Sequence, residues 1–114
     1  MEITRIEKTD VVSLMERIDS DSAGLLEKTL NNLVATGSNA ILCDFSATAY
    51  ISSAGLRVLL SVTKTLVRSQ GRLAICSLRP NVMQIFTVAG INQVIPVYPT
   101  RDEAIRKLSG KSGS

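Results

Sequence analysis

Apolar positions change rhythm several times along the chain, and each change marks an element. The first eighteen residues, MEITRIEKTDVVSLMERI, alternate imperfectly and predict two short strands joined around Thr9 and Asp10. In DSDSAGLLEKTLNNLVATG, Ala23, Leu26, Leu30, Leu33 and Val34 recur at helical spacing. Asp19 or Ser20 can cap that helix, and Gly37 can stop it. NAILCDF is a short apolar run suited to a strand buried on both faces. A helix over 53–69, ended by Gly71, leads to RLAICSL, which repeats the buried-strand pattern. RPNVMQIFTVAG predicts a short helix with Pro80 near its first turn and Gly90 after its last. QVIPVY predicts a strand whose Pro96 suits a sheet edge. TRDEAIRKL opens with Thr100 and Glu103 spaced as a capping box and predicts a final helix. The closing SGKSGS is polar and predicts a frayed end.

Buried strands alternating with helices call for βαβ units with right-handed crossovers. The order ββαβαβαβα predicts an α/β fold: one mixed sheet, with parallel and antiparallel pairings, carrying about four helices. The expected division is one domain over 1–108 and a polar C-terminal tail over 109–114. A chain of 114 residues, 45% hydrophobic, can build one core without metals or disulfides. Cys43 in ILCDF and Cys76 in AICSL sit inside apolar runs, which suits buried free thiols in a reducing cytoplasm. Two isolated cysteines and no histidine argue against a metal site. No signal peptide or membrane-length apolar run is visible, so a cytoplasmic protein is expected, with no membrane partner. The net charge of +3 is spread along the chain and aromatics are scarce, so nucleic acid is not an expected partner either.

Catalytic chemistry is hard to place. There is no histidine, no phosphate loop of the G-x-x-x-x-G-K form, and SSAG does not match a nucleophile elbow. The acidic residues show no pairing for hydrolysis, so neither an enzyme nor a bound cofactor is expected. Attention falls instead on YISSAGLRVLL, which sets two serines, an alanine and a glycine before an apolar helix. Leu56, Leu59, Leu60, Thr63, Leu66 and Val67 share one helix face, which should pack on the sheet. Val58, Val62 and Thr65 form a second line flanked by Arg57, Ser61, Lys64 and Arg68. That line could dock a transient partner, or it could pack inside the domain; periodicity leaves both open. The serines likewise allow two roles. One could cap the helix, and one could carry a phosphoryl group at its positive end. Gly55 forgoes helix propensity and could admit close approach by another molecule.

Across ILCDFSATAYISSAGLRVLLSVTKTLVRSQGRLAICSL and VMQIFTVAGINQVIPVY the chain resembles the STAS domain family, and within it the stand-alone bacterial anti-sigma factor antagonists. The resemblance runs from about Ile3 to Leu108 and implies a single STAS-like domain. By position, Ser53 stands where that family has a phosphorylated serine, and Ser52 where it often has Asp, with Ser52 a second choice for modification. Ala54 stands at the family's second serine, Gly55 and Leu56 match directly, and Asp44 and Ser46 match the strand-end pair. Asp19 resembles the acidic residue of a partner-facing loop that would include Ser20 and Asp21. The implied docking set is Asp19, Ser20, Asp21, Ser52, Ser53, Ala54, Gly55, Arg57, Val58, Ser61 and Val62. The resemblance implies partner switching. The unphosphorylated form would bind an anti-sigma factor that is a serine kinase of the GHKL type, and so release a sigma factor. Phosphorylation of Ser53 would break that complex, and a PP2C-type phosphatase would restore it, with ATP belonging to the kinase. Ser52 in place of Asp removes a negative charge beside the phosphate, and Glu16 stands where many relatives have glycine. A STAS subunit of a transporter or signalling scaffold, binding partners without phosphorylation, is the alternative. A small nucleotide-binding or hydrolytic protein is the weakest reading.

Overall fold

Two runs buried on both faces, Ala40–Asp44 (β4) and, past its exposed first residue, Arg72–Cys76 (β6), set the centre of the sheet in the computed structural model, which describes residues 1–109. β4 pairs in parallel with β6 and with β2 (Thr9–Ser13), while β1 (Glu2–Ile6) joins β2 as an antiparallel hairpin. The two-residue β7 (Val97–Tyr98) closes the far edge, giving the order β1-β2-β4-β6-β7. Helices α1 (Ser20–Ala35), α2 (Ser53–Arg68) and α3 (Pro80–Ala89) contribute to a core on one face with Val12, Ile41, Cys43, Leu73 and Ile75. On the other face α4 (Arg101–Leu108) sets Ala104, Ile105 and Leu108 against Val11, Ala40, Leu42, Ala74 and Cys76. The predicted α/β order and four helices are therefore present in one domain, and the small residues Ala40 and Ala74 let α4 lie close to the strands.

Period-two alternation puts the two cysteines on opposite faces, Cys43 under the three helices and Cys76 under α4. Both thiols are free and buried. Burial pushes Cys43 up to about 12 and Cys76 up to about 11, so both are neutral packing groups at physiological pH. Among the described residues, no helix is long and apolar enough to cross a membrane.

Two boundaries differ from the sequence reading, and one strand pair is new. The β1–β2 turn lies at Glu7 and Lys8, with Glu7 at φ 56°, not at Thr9–Asp10. Asp10 looked like a turn residue but is buried in β2, where its carboxylate accepts from Arg5 Nη1 at 3.0 Å and from the Ser38 hydroxyl. The strand expected over QVIPVY is reduced to β7, because a 3₁₀ turn at Ile91–Gln93 takes up the chain after Gly90. Pro96 precedes the edge strand, and its carbonyl still accepts from the Ile75 N–H at 2.9 Å. A parallel pair of two-residue strands was not foreseen: β3 (Arg17–Ile18) and β5 (Tyr50–Ile51). Of the expected tail over 109–114, all but Ser109 lies outside the described residues.

Asp44, at the end of β4, ties the sheet to α4. Its carboxylate accepts from the Ser46 N–H at 2.9 Å and from Arg101 Nε at 2.9 Å, and Arg101 Nη2 also reaches Ser13 Oγ at 3.2 Å. Burial alone would raise the Asp44 carboxyl, but the Ser46 N–H and Arg101 outweigh it and hold the group below its ordinary 3.8. A folded value below the unfolded one contributes stability above pH 3.8, and that contribution is lost as the pH falls through the folded value. Asp44→Asn is therefore expected to lower stability by about 1–2 kcal/mol at pH 7. Urea denaturation across pH should show the gap between variant and parent closing in acid. A constant gap would assign the loss to altered packing.

Candidate functional site

The β3–β5 pair brings the starts of α1 and α2 side by side. Ala49 N–H donates to the Glu16 carbonyl at 2.8 Å, and Ser52 N–H donates to the Ile18 carbonyl at 2.7 Å. Ile18 and Ile51 are buried beneath this stitch, and the Arg17 guanidinium lies over the exposed Tyr50 ring at 4.7 Å. Two loops distant in sequence thus end in two adjacent helix starts.

Each start has its own cap. Asp19 caps α1, accepting from the Asp21 and Ser22 N–H groups at 3.1 and 3.0 Å, while Ser22 Oγ accepts in return from the Asp19 N–H at 2.8 Å. Donation from the Ser22 N–H, then the Ser22 hydroxyl, lowers the Asp19 carboxyl below its ordinary value. Ser52 caps α2, its Oγ accepting from the Gly55 N–H at 3.3 Å. The cap role open to either serine therefore falls to Ser52. Ser53 is the first helical residue, is exposed, and its hydroxyl makes no hydrogen bond among the described residues. The first turn of α2 carries no acidic residue, whereas α1 has Asp21 there and α4 has Asp102 and Glu103. The positive end of α2 is left without a nearby carboxylate on its own first turn.

Between the two helices runs an open groove of about 370 Å³, walled by Ser20, Ala23, Gly24 and Glu27 of α1 and by Ala54, Arg57, Val58 and Ser61 of α2. Of the residues expected to form a docking surface, Ser20, Ala54, Arg57, Val58 and Ser61 line this groove. Ser52 and Ser53 stand at its α2 end, and Asp19 and Asp21 at the start of α1. Gly24 and Glu27 escaped the sequence reading, which took Ala23 only as part of the apolar face of α1. Gly24 was the available signal, a helix-interior glycine whose side-chain position faces open space, so that packing does not demand it.

Three expectations are corrected. Val62 is 1% exposed and Val58 8%, and both belong to the core cluster with Ala23, Leu26 and Leu30 of α1. The second apolar line of α2 is thus packed inside the domain, with only the edge of Val58 reaching the groove floor. The buried arc is Gly55, Val58, Leu59, Val62, Thr63 and Leu66, turned by roughly 70° from the expected face at 100° per residue. Val67, expected inside, is 61% exposed, and Leu56 and Leu60 are half-buried. The turn follows from α1 lying against one flank of α2, so that helix must bury a side as well as its base. Gly55 is the third correction. A Cβ there would lie 2.7 Å from Ile18 Cγ2 and 2.8 Å from Ile51 Cγ1, so glycine admits this chain's own β3 and β5, not an outside molecule.

The comparisons with known proteins agree with this architecture. The family model for the STAS domain matches residues 1–104. The chain belongs to the STAS domain family. As a STAS domain it is 37% identical over 94 residues to BtrV of Bordetella bronchiseptica, named as an anti-sigma factor antagonist, covering 82% of this chain and 81% of that protein. The crystal structure of an anti-sigma factor antagonist from Mycobacterium paratuberculosis superposes with a TM-score of 0.87 at 26% identity, covering 95% of this chain and 92% of that one. The phosphorylated form of SpoIIAA, a Bacillus cell-fate determinant, shares the fold with a TM-score of 0.73 at 18% identity, over 93% and 96% of the two chains. Within this STAS domain, Asp44 and Ser46 lie apart from the groove lining. Asp44 holds α4, and the Ser46 carbonyl accepts from Arg79 Nε at 3.1 Å, which fastens the start of α3.

Proposed function

We propose that this STAS domain is an anti-sigma factor antagonist that works by partner switching. Unphosphorylated, it docks an anti-sigma factor that is also a serine kinase of the GHKL type, and the sigma factor held by that protein is released. The kinase moves the γ-phosphoryl group of ATP onto Ser53 Oγ: the new O–P bond forms, ADP leaves, and the serine proton passes to a base of the kinase. The dianion at the helix start then opposes re-docking. A PP2C-type phosphatase hydrolyses the ester with water, giving inorganic phosphate and the free hydroxyl. The chain itself supplies no catalytic group in this cycle.

One observation carries the reading: of the paired serines, Ser52 is engaged as the cap while Ser53 is exposed, unbonded among the described residues, and beside an open groove. That support is independent of the names borne by BtrV and the Mycobacterium protein, and of the phosphorylated state of SpoIIAA, all of which point the same way.

The test is to incubate the protein with candidate serine-kinase anti-sigma factors and ATP, then locate any phosphate by mass spectrometry. The expected outcome is one phosphate, on Ser53, absent from Ser53→Ala and retained in Ser52→Ala. A kinase that binds the protein yet phosphorylates neither serine would overturn the switch and favour a transporter-associated or scaffold STAS subunit.

A further inference from the structure

We propose that Arg57 is the internal partner of a phosphate on Ser53, so that modification withdraws a cation from the docking groove as well as adding an anion. This inference rests on Ser53 being the modified residue and concerns how that modification acts.

Ser53 and Arg57 are four residues apart in α2, the spacing that brings helical side chains together on one face. The direction is also right. Helical side chains lean toward the N-terminus, so the Arg57 stem covers the turn that contains Ser53. The reverse order would point the guanidinium away. Arg57 is exposed and makes no hydrogen bond or ion pair among the described residues, so nothing in the chain must be broken for it to move.

Neighbouring cations are less available. Arg17 is stacked on Tyr50, and Arg79 is bonded to the Ser46 carbonyl. Lys64 and Arg68 lie two turns or more further along α2. Across the groove Glu27 shares the lining with Arg57, without an ion pair to it among the described residues. A phosphate dianion competes better than a single carboxylate for a guanidinium, because it carries more charge and three strong acceptor oxygens.

The unmodified groove therefore presents Arg57 and Glu27 on opposite walls, a cation and an anion available to a partner. With the phosphate in place, Arg57 folds back to Ser53, and the groove keeps Glu27 but loses its cation. An acidic side chain of a partner that met Arg57 then faces two negative groups instead of one cation.

The experiment uses the full chain with phosphoserine encoded at position 53, alone and combined with Arg57→Gln or Arg57→Lys. Phosphorus NMR follows the phosphate through its second ionisation, and circular dichroism checks that each variant is folded. Pairing stabilises the dianion, so the midpoint in the parent should lie about half a pH unit below that of Arg57→Gln. Arg57→Lys should keep a good part of the difference, and raising NaCl to about 0.5 M should shrink it. Equal midpoints in the parent and Arg57→Gln would overturn the pairing. That result would leave docking intact; docking by switching fails separately if the phosphoserine chain binds its anti-sigma factor as tightly as the unmodified one.

Discussion

Val62→Asp is expected to cost about 4 kcal/mol or more, enough to unfold much of the population at 25 °C. Val62 is 1% exposed, in the cluster shared by α1, α2 and the sheet, so its carboxylate would enter an apolar site with no cation or donor built to receive it. Protonation would avoid the charge but still leave a buried carboxyl in place of packed methyl groups. The neighbouring substitution Ser61→Asp is the control, because Ser61 is exposed on the groove rim and should change stability by no more than about 0.5 kcal/mol. Urea titrations of both variants measure the contrast. If Val62→Asp kept the parent's midpoint, α1 would not be closing the flank of α2.

That contrast between adjacent residues marks where the sequence could be read and where it could not. Long elements with a clear period were legible. β4 and β6 announce themselves as apolar runs, α3 by Pro80 and Gly90, and α4 by Thr100, whose hydroxyl accepts from the Glu103 N–H at 3.2 Å. The start of α2 was legible because SSAG sets a capping residue before an apolar helical run, while the reason for Gly55 lay in its contacts with Ile18 and Ile51, which the sequence does not show. What a one-dimensional pattern lacks is the direction from which neighbours arrive. Val58 and Val62 could be assigned to the interior only once α1 was known to lie beside them. The β3–β5 pair left no trace for a different reason: two residues are too few to show alternation, and its strength lies in backbone hydrogen bonds between remote loops. Asp10 shows a third kind of blindness. A polar side chain satisfied inside the fold by Arg5 and Ser38 is indistinguishable, in sequence, from one that turns toward water.

Ser53→Asp should lower affinity for the anti-sigma factor by about two orders of magnitude while leaving the melting temperature nearly unchanged. The two effects separate because Ser53 sits on the first residue of α2 with its side chain outside the core. A carboxylate there meets unpaired N–H groups and the positive helix end, which is mildly stabilising, worth about 0.3–1 kcal/mol. The same charge at the groove mouth must be stripped of water or set against the partner when the complex forms, and neither occurs in the free protein. Ser53→Ala supplies the complement. It removes the hydroxyl without adding charge, and since Ser52 provides the cap, both fold and docking should survive. Calorimetric titration with the anti-sigma factor, beside thermal melts of both variants, reads the two effects independently. An Ser53→Asp chain that bound as tightly as the parent would show that charge at this helix start does not govern docking. A variant that lost binding only by losing its fold would show instead that Ser53 serves the architecture of the groove.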